Sequence, residues 1–432
     1  MSLTTLAEAR RCAADAAALL RGPAAQAPMH ECLGAMLAED VHAPQPIPHA
    51  TTSAMDGWAV RGAGPWLLIP EAPEPRTGRT ALSPADQRPA LRVGEAVAVV
   101  TGSPIPRGTT SVLRSEHGSL RPDAGAPGRE LLHARSDTVD LEPGRHLRPA
   151  GSEAAAGDLL LRAGATVTPA VAAMAAVAGH DTLRIHPRPR VRLICTGEEV
   201  ITSGLPGPGQ VRDAFEISVP AAVEAMGGAT EGVERVGDAV EALISSLQEG
   251  LASRADLLLT TGGTARSEAD ALLPALRSLG AELLVDGVDM RPGHPMVLAR
   301  VGGSLVLGLP GNPLAGHAAL AGIGQVILDV LAGADPRDAV GMTKTIAVEP
   351  LPGARRGQRL LPVERRSAGV APVGHDSPHM MRGFAVAAAF ALVPPEGVAA
   401  GETVEVLPLA WHAGGTRSTG GPRGRRSSSW DG

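Results

Sequence analysis

The sequence ADLLLTTGGTARSEAD occupies residues 255–270. A short apolar run, a glycine pair and then a helix-forming segment is the pattern of a buried parallel strand opening into an anion-binding loop. Gly262 and Gly263 lack side chains, so the backbone can turn sharply and present N–H groups to a ligand. The positive end of a following helix adds to the same spot. A glycine pair after a strand is also ordinary turn chemistry, so the stretch has to be read with its surroundings.

Those surroundings repeat the pattern. Between 188 and 333, the runs RVRLIC, ADLLLTT and SLVLGL alternate with helical stretches such as SVPAAVEAMGG, AVEALISSLQEGL and PLAGHAALAGIGQVILDVLAG. Strand–helix alternation with right-handed crossovers predicts a parallel sheet covered by helices on both faces. Ligands of such sheets collect beyond the carboxyl ends of the strands. Three loops leave strands there. CTGEEV at 195–200 holds Thr196, Gly197, Glu198 and Glu199. The TTGG loop holds Thr261, Gly262 and Gly263 and ends in Glu268 and Asp270. In LPGNP, Pro310, Gly311, Asn312 and Pro313 turn into a long helix. Backbone donors beside several acids suit a phosphorylated ligand held through Mg²⁺, which takes one or two carboxylates plus phosphate oxygens.

The rest of the chain is of different character. Residues 4–20 read as an amphipathic helix, and CLGAMLAEDV at 32–41 as a second, shorter one. APQPIPHATT at 43–52 is a proline-broken connection. From about 60 to 140, short apolar runs separated by Pro and Gly predict a small β domain. The β pattern returns from 340 to 408, and the Gly-, Ser- and Arg-rich end cannot form a core.

Length and composition narrow the function. A chain of 432 residues is too long for one compact core. It has no apolar run long enough to suggest a membrane span, and its first residues lack the apolar centre of a signal peptide. Cys12, Cys32 and Cys195 share no CxxC spacing, which fits a reducing cytoplasm and argues against a zinc site. A net charge of −6 gives no support for a nucleic-acid partner. With no Tyr and three Phe, the cores must rely on aliphatic residues. Cys195 ends a predicted buried strand and reads as a small core residue. His375 and His379 are four apart, a metal-binding spacing on a helix, but no third ligand is evident and a structural role is preferred.

Four runs carry a family resemblance: SAMDGWAV at 53–60, VTGSPIPRG at 100–108, TTGG…EAD at 260–270 and GLPGNP at 308–313. In this order and at these separations they resemble the molybdopterin molybdenumtransferase family, which includes the bacterial MoeA proteins. The resemblance implies a multidomain α/β plus β fold. Its parts are a helical and extended N-terminal domain (1–45 and 141–187), an inserted small β domain (46–140) and a parallel-type α/β molybdopterin-binding domain (188–335). A β-barrel-like C-terminal domain (336–410) and a disordered tail (411–432) complete it. The implied reaction transfers molybdenum from molybdate to adenylylated molybdopterin, with Mg²⁺ and release of AMP. A cytoplasmic homodimer with shared active sites is implied too, with no nucleic-acid or membrane partner.

Carried over position by position, the resemblance makes Asp56, Glu199, Asp238 and Asp270 the acidic active-site residues. Glu153, Glu199 and Asp270 become the metal ligands. Ser53 and Met55 share the Asp56 loop, and Asp56 is brought to the cleft from another part of the dimer. Arg291, Pro292, Gly293 and His294, in MRPGHP, stand where many members carry a KPGKP-like run, and Arg keeps the anion contact. Ser103, Pro104 and Glu116 match the motif of the β insert. The chain also departs from the family. Thr51 replaces a usual Asp, Glu153 a usual Asp, and Phe215 the Asn after the GQ-I-x-D run. Arg266 and Ser267 interrupt the glycine loop, and GNPLAG lacks the usual Ser. These changes are expected to touch ligand contacts. They keep open a molybdopterin-binding or scaffold protein on the same fold, while an adenylyltransferase acting one step earlier is disfavoured by the SAMDG run and the flanking β domains.

Overall fold

Apolar residues placed at every second position build the central sheet. Ala229–Arg235, Arg190–Cys195, Leu257–Thr261 and Ser304–Leu309 lie side by side and parallel, in that order. Val191, Leu193, Leu257, Leu259, Leu305 and Leu307 face one core, while Ile194, Leu258 and Val306 face the other, as the two-residue period of a strand requires. The first core is closed by the helices Leu6–Leu20, Phe215–Ala225 and Pro313–Leu331, the second by Val240–Ala252 and Leu272–Ser278. The computed structural model describes residues 4–69, 90–126, 129–262 and 270–412. Gly263, Arg266, Ser267, Glu268 and the expected disordered tail beyond His412 lie outside the described residues.

The sheet is parallel as expected across those four strands, and its remaining edge is antiparallel. Val297–Val301 returns on Ser304–Leu309 through Gly302 and Gly303, and Glu282–Asp286 pairs antiparallel beyond it. A two-residue connection can only reverse a strand, whereas a parallel neighbour needs a crossover. The helix Pro313–Leu331 is long and apolar enough to cross a membrane, yet it is mostly buried in the core. It contains a π turn at Leu320–Gly324. The buried Arg10 guanidinium donates to the Gly322 carbonyl within that turn at 2.5 Å, and to the carbonyls of Ala339 and Gly341. A capping box between Thr5 and Glu8 starts the helix that delivers it.

The helix expected at 32–41 does not form. Gly34 takes φ +80°, Met36–Leu37 pairs with Thr182–His186, and the Ala38 N–H donates to the Arg184 carbonyl at 2.9 Å. A short segment containing glycine gains little as an isolated helix, whereas a strand partner satisfies its backbone. The C-terminal sheet has the order Met290–Arg291, Gln358–Arg366, Ala389–Val393, Thr403–Pro408, Thr343–Ile346, so the MR of MRPGHP belongs to it. All of these elements belong to one compact unit, made of Met1–Glu39, Ala163–Thr168 and Thr182–Gly432.

The second unit comprises Asp40–Arg162 and Pro169–Asp181. Its six-stranded sheet has the order Ser111–Arg114, Gly57–Val60, Glu95–Val99, Trp66–Leu68, Glu130–Ala134, Gly118–Pro122. Trp66, Leu113 and Leu132 fill one side of it, Leu91, Val97 and Val112 the other. A polar knot ties the loop after the sheet back onto it. The Asp140 carboxylate, fully buried, accepts from Arg114 Nε and N–H at 3.1 Å. Nδ1 of His117 and Nε2 of His146 lie 2.8 and 2.9 Å from the same carboxylate. Burial opposes its ionisation, but these donors outweigh burial and hold the carboxyl well below its ordinary range.

A depressed carboxyl pKa stabilises the fold fully above the unfolded value near 3.9, and the gain is lost as pH falls towards the folded value. The thermal midpoint is therefore expected to drop below about pH 4. Asp140→Asn is expected to cost about 3 kcal/mol at pH 7 and to flatten that acid dependence. Thermal melts of both proteins between pH 3 and 7 check this.

Candidate active site

The three glycine-bearing loops meet at one edge of the larger unit's sheet. Cys195 and Thr261 are in register, as are Thr261 and Leu309, so the loops after them start at the same level. The Thr196 hydroxyl donates to the Thr261 carbonyl at 2.6 Å. The Gly262 N–H donates to the Leu309 carbonyl at 3.0 Å. Gly262 takes φ +81°, and a Cβ there would lie 2.9 Å from Thr196 Oγ1; one on Gly311 would lie 3.6 Å from the Gly262 Cα. Only backbone of this kind lets the loops after all three strands crowd together.

The acids arrive around this junction by separate routes. The Asp238 carboxylate, beyond the strand Ala229–Arg235, accepts the Glu198 N–H at 3.1 Å and so fastens the TGEE loop. Glu199 and Asp238 are exposed, and Asp270 is half-buried just before the helix Leu272–Ser278. Among the described residues, no group of three or more His, Cys, Asp and Glu side chains is gathered as a metal cluster. Burial pushes the Cys195 thiol up to about 11 and leaves it an unreactive core group.

Pro310, Gly311 and Asn312 form the turn, and Pro313 occupies the first position of the helix it starts. The N–H groups of Leu314 and Ala315 donate to the Pro378 carbonyl at 3.0 and 3.4 Å, so two of this helix's first amides are taken by the C-terminal domain. Gly293, in MRPGHP, packs against Met290 and the Ala315 carbonyl. That places Arg291, Pro292, Gly293 and His294 beside the same helix. Arg291 is exposed, and its side chain has no hydrogen bond or ion pair to the described residues. His294 is half-buried and its Nδ1 lies 2.9 Å from the Val288 carbonyl, a contact that makes Nδ1 the protonated nitrogen.

In the second unit, SAMDG and TGSP form one structure. Asp56 accepts the Thr101 N–H at 2.7 Å and the Thr101 hydroxyl at 2.9 Å, and these bonds draw its carboxyl below the ordinary value. The Ser53 N–H donates to the Ser103 carbonyl at 3.0 Å, and the buried Ser53 hydroxyl donates to the Met55 carbonyl at 2.6 Å. Met55 itself is exposed. Glu153 is exposed on a turn whose N–H donates to the Ile47 carbonyl. A cleft of about 670 Å³ in this unit is lined by His49, Thr51, Ile105 and Arg107 among others.

Residues 4–179 match the family model described as "MoeA N-terminal region (domain I and II)", and residues 192–330 match "Probable molybdopterin binding domain". Molybdopterin molybdenumtransferase 2 of Mycobacterium tuberculosis is 33% identical over 300 residues, covering 66% of this chain and 70% of that one. Molybdopterin molybdenumtransferase of Bacillus subtilis is 28% identical over 391 residues, covering 88% of each. The chain belongs to the molybdopterin molybdenumtransferase family. It is a transferase of molybdenum cofactor biosynthesis. A molybdopterin biosynthesis MoeA protein from Pyrococcus horikoshii shares the multidomain α/β plus β fold, with a TM-score of 0.67 at 21% identity over 94% of this chain and 99% of that one.

Set against the family, one of the departures is packing. Phe215 was expected to alter a ligand contact; its ring is buried in the core and stacks on His317. Thr51 uses its carbonyl to accept the Ile105 N–H and its hydroxyl to accept the Ala150 N–H. His375 and His379 do not lie on a helix. His375 lies in irregular backbone at φ +47°, so the four-residue spacing does not put the two rings on one face. Three participants escaped notice in the sequence. Asp213 caps the helix Phe215–Ala225 and pairs with Arg235 at the strand end, and His317 is buried behind the GNP turn. The Asp in GQVRD, two residues before a helical run, was the legible signal for the first of these.

Gly262→Ala is expected to lose about 1–2 kcal/mol through the left-handed backbone, because the new methyl also pushes on Thr196 Oγ1. Urea unfolding should register the loss. Gly280→Ala, also at positive φ but with open space around it, should show the backbone cost alone and leave ligand binding unchanged.

Proposed function

We propose that this chain inserts molybdenum from molybdate into adenylylated molybdopterin with release of AMP, using Mg²⁺, as a cytoplasmic homodimer with shared active sites. The observation that carries the reading is the meeting of the loops after Cys195, Thr261 and Leu309 at one sheet edge, with Glu199, Asp238 and Asp270 around it. Membership of a family of named molybdenumtransferases supports it.

The residues divide the work. Thr196, Gly197, Thr261, Gly262 and the turn Pro310–Gly311–Asn312–Pro313 form a surface with few side chains, on which a flat pterin and its phosphates can lie close to backbone. Arg291 attracts molybdate and phosphate oxygens, and can hold two at once through its planar fork. His294, fixed by the Val288 carbonyl, borders the same turn. The sulfur for molybdenum comes from the substrate dithiolene, in keeping with a buried, protonated Cys195.

The donor set suits Mg²⁺. Glu199 and Asp270 offer hard carboxylate oxygens, and Mg²⁺ needs only one or two of these beside phosphate oxygens and water. Glu153, with Asp56, is the contribution proposed for the Asp40–Arg162 unit in the assembled dimer. Held by Glu199, Asp270 and Glu153, Mg²⁺ would supply charge neutralisation at the phosphates and polarisation of the bond to AMP. Asp238 keeps the TGEE loop in place through the Glu198 amide, so its part is positioning. The acids exclude competing anions and orient water.

Purified protein mixed with adenylylated molybdopterin, Mg²⁺ and molybdate is expected to release AMP in a molybdate-dependent way. Asp56→Ala and Asp270→Ala should each lower that rate by about a hundredfold or more. Mixing the two variants after subunit exchange should recover part of it if the sites are shared. Tight ligand binding without AMP release would leave a binding or scaffold protein in place of the transferase.

A further inference from the structure

All three phenylalanines of this chain, which has no tyrosine, lie in a single stack. Phe215 and His317 are stacked with centroids 5.6 Å apart and planes 19° apart. His317 meets Phe384 at 5.0 Å, and Phe384 meets Phe390 at 5.5 Å. Trp411 closes against the edge of Phe384 at 6.2 Å. The column runs from the helix Phe215–Ala225, through the helix that follows GNP, to the strand Ala389–Val393 of the C-terminal sheet. In a chain so poor in aromatics, the phenylalanines are gathered in the one core that lies behind the GNP turn.

We infer that Phe215, Gly316 and His317 form a brace that holds the LPGNP turn, with His317 as a positioning residue for the proposed molybdopterin site; the inference rests on the reading of that site given above. His317 is 2% exposed. Its Nδ1 donates to the Pro313 carbonyl at 2.7 Å, and its Nε2 lies 2.8 Å from the Ser218 hydroxyl. One ring thus ties the first turn after GNP to the neighbouring helix. Burial lowers its pKa, and its partner at Nε2, the Ser218 hydroxyl, also bonds the Ala214 carbonyl of its own helix.

Gly316 completes the brace by what it lacks. A Cβ there would stand 2.6 and 2.7 Å from two ring atoms of Phe215 and 2.9 Å from the Pro310 carbonyl. The Phe215 ring, the Pro310 carbonyl and Gly316 therefore share one close-packed spot directly beneath the turn. The aromatic ring at 215 fits against this helix only because position 316 carries no side chain. A leucine at 317 would fill the volume and lose both hydrogen bonds. A phenylalanine would keep the stacking and lose them too, so the two functions of the ring can be separated.

The test compares His317→Phe, His317→Gln and the pair Gly316→Ala and Phe215→Leu/Gly316→Ala. Amide hydrogen exchange in the protein without ligand reads the brace directly. His317→Phe is expected to speed exchange across 308–319 by about tenfold while Val240–Ala252 exchanges as before. Gln, which can donate and accept, should restore most of the protection. Gly316→Ala should loosen the same segment, and Phe215→Leu should relieve it.

In the AMP-release assay, His317→Phe should raise KM for adenylylated molybdopterin by about tenfold with kcat within about twofold. Wild-type exchange across 308–319 in His317→Phe overturns the brace. Faster exchange with an unchanged KM overturns the positioning role. Absence of AMP release from the wild-type protein overturns the transferase reading instead, and the exchange result still decides the brace.

Discussion

Three parallel strands can end side by side only if the loops leaving them find room, and here the room comes from missing side chains. The Thr196 hydroxyl on the Thr261 carbonyl and the Gly262 amide on the Leu309 carbonyl sew these ends together. The backbone groups that the strand ladders no longer use are thereby satisfied by neighbours. Everything else at the sheet edge is arranged around that seam. Asp238 fastens the TGEE loop beside it, the GNP turn lies against it, and the MRPGHP loop packs on the helix that the turn starts.

The seam holds its place because the helix behind it is anchored at its start and at its middle. Arg10 reaches the carbonyl inside the π turn of the helix Pro313–Leu331, and the Pro378 carbonyl takes two amides at that helix's start. The aromatic column supplies the lateral tie, from Phe215 through His317 to the C-terminal sheet. A buried guanidinium bound to several carbonyls is costly to remove, since each acceptor would be left without a partner. Two of the larger unit's buried polar residues, Arg10 and His317, fix one helix. That helix carries the GNP turn.

The second unit is organised differently. Polar knots supplement the two small cores of its sheet. Asp140 gathers Arg114, His117 and His146, and Asp56 joins the SAMDG and TGSP turns through Thr101. A carboxylate with its charge already satisfied on one oxygen is held in orientation. That is what a reactive or ligand-binding group needs from its scaffold.

Much of this was legible in the sequence. The alternation of RVRLIC, ADLLLTT and SLVLGL with helical stretches determined the sheet and its covered faces, because strand and helix periods differ and both are written in apolar spacing. The four motif runs determined the family and the loops that meet. Other features were not legible, for physical reasons. The segment 32–41 has helical spacing but takes a strand partner 150 residues away, and no local pattern announces such a partner. The antiparallel edge follows from a two-residue turn at Gly302 and Gly303 that resembles many others. Phe215 read as a ligand-site departure, and only packing against Gly316 and His317 makes it part of the core. Sequence by itself determined the strands and helices of the central sheet and which backbone-rich loops leave them. Tertiary structure alone decided which side chains face those loops and which brace them from behind, since burial and hydrogen-bond partners are set by residues far apart in the chain.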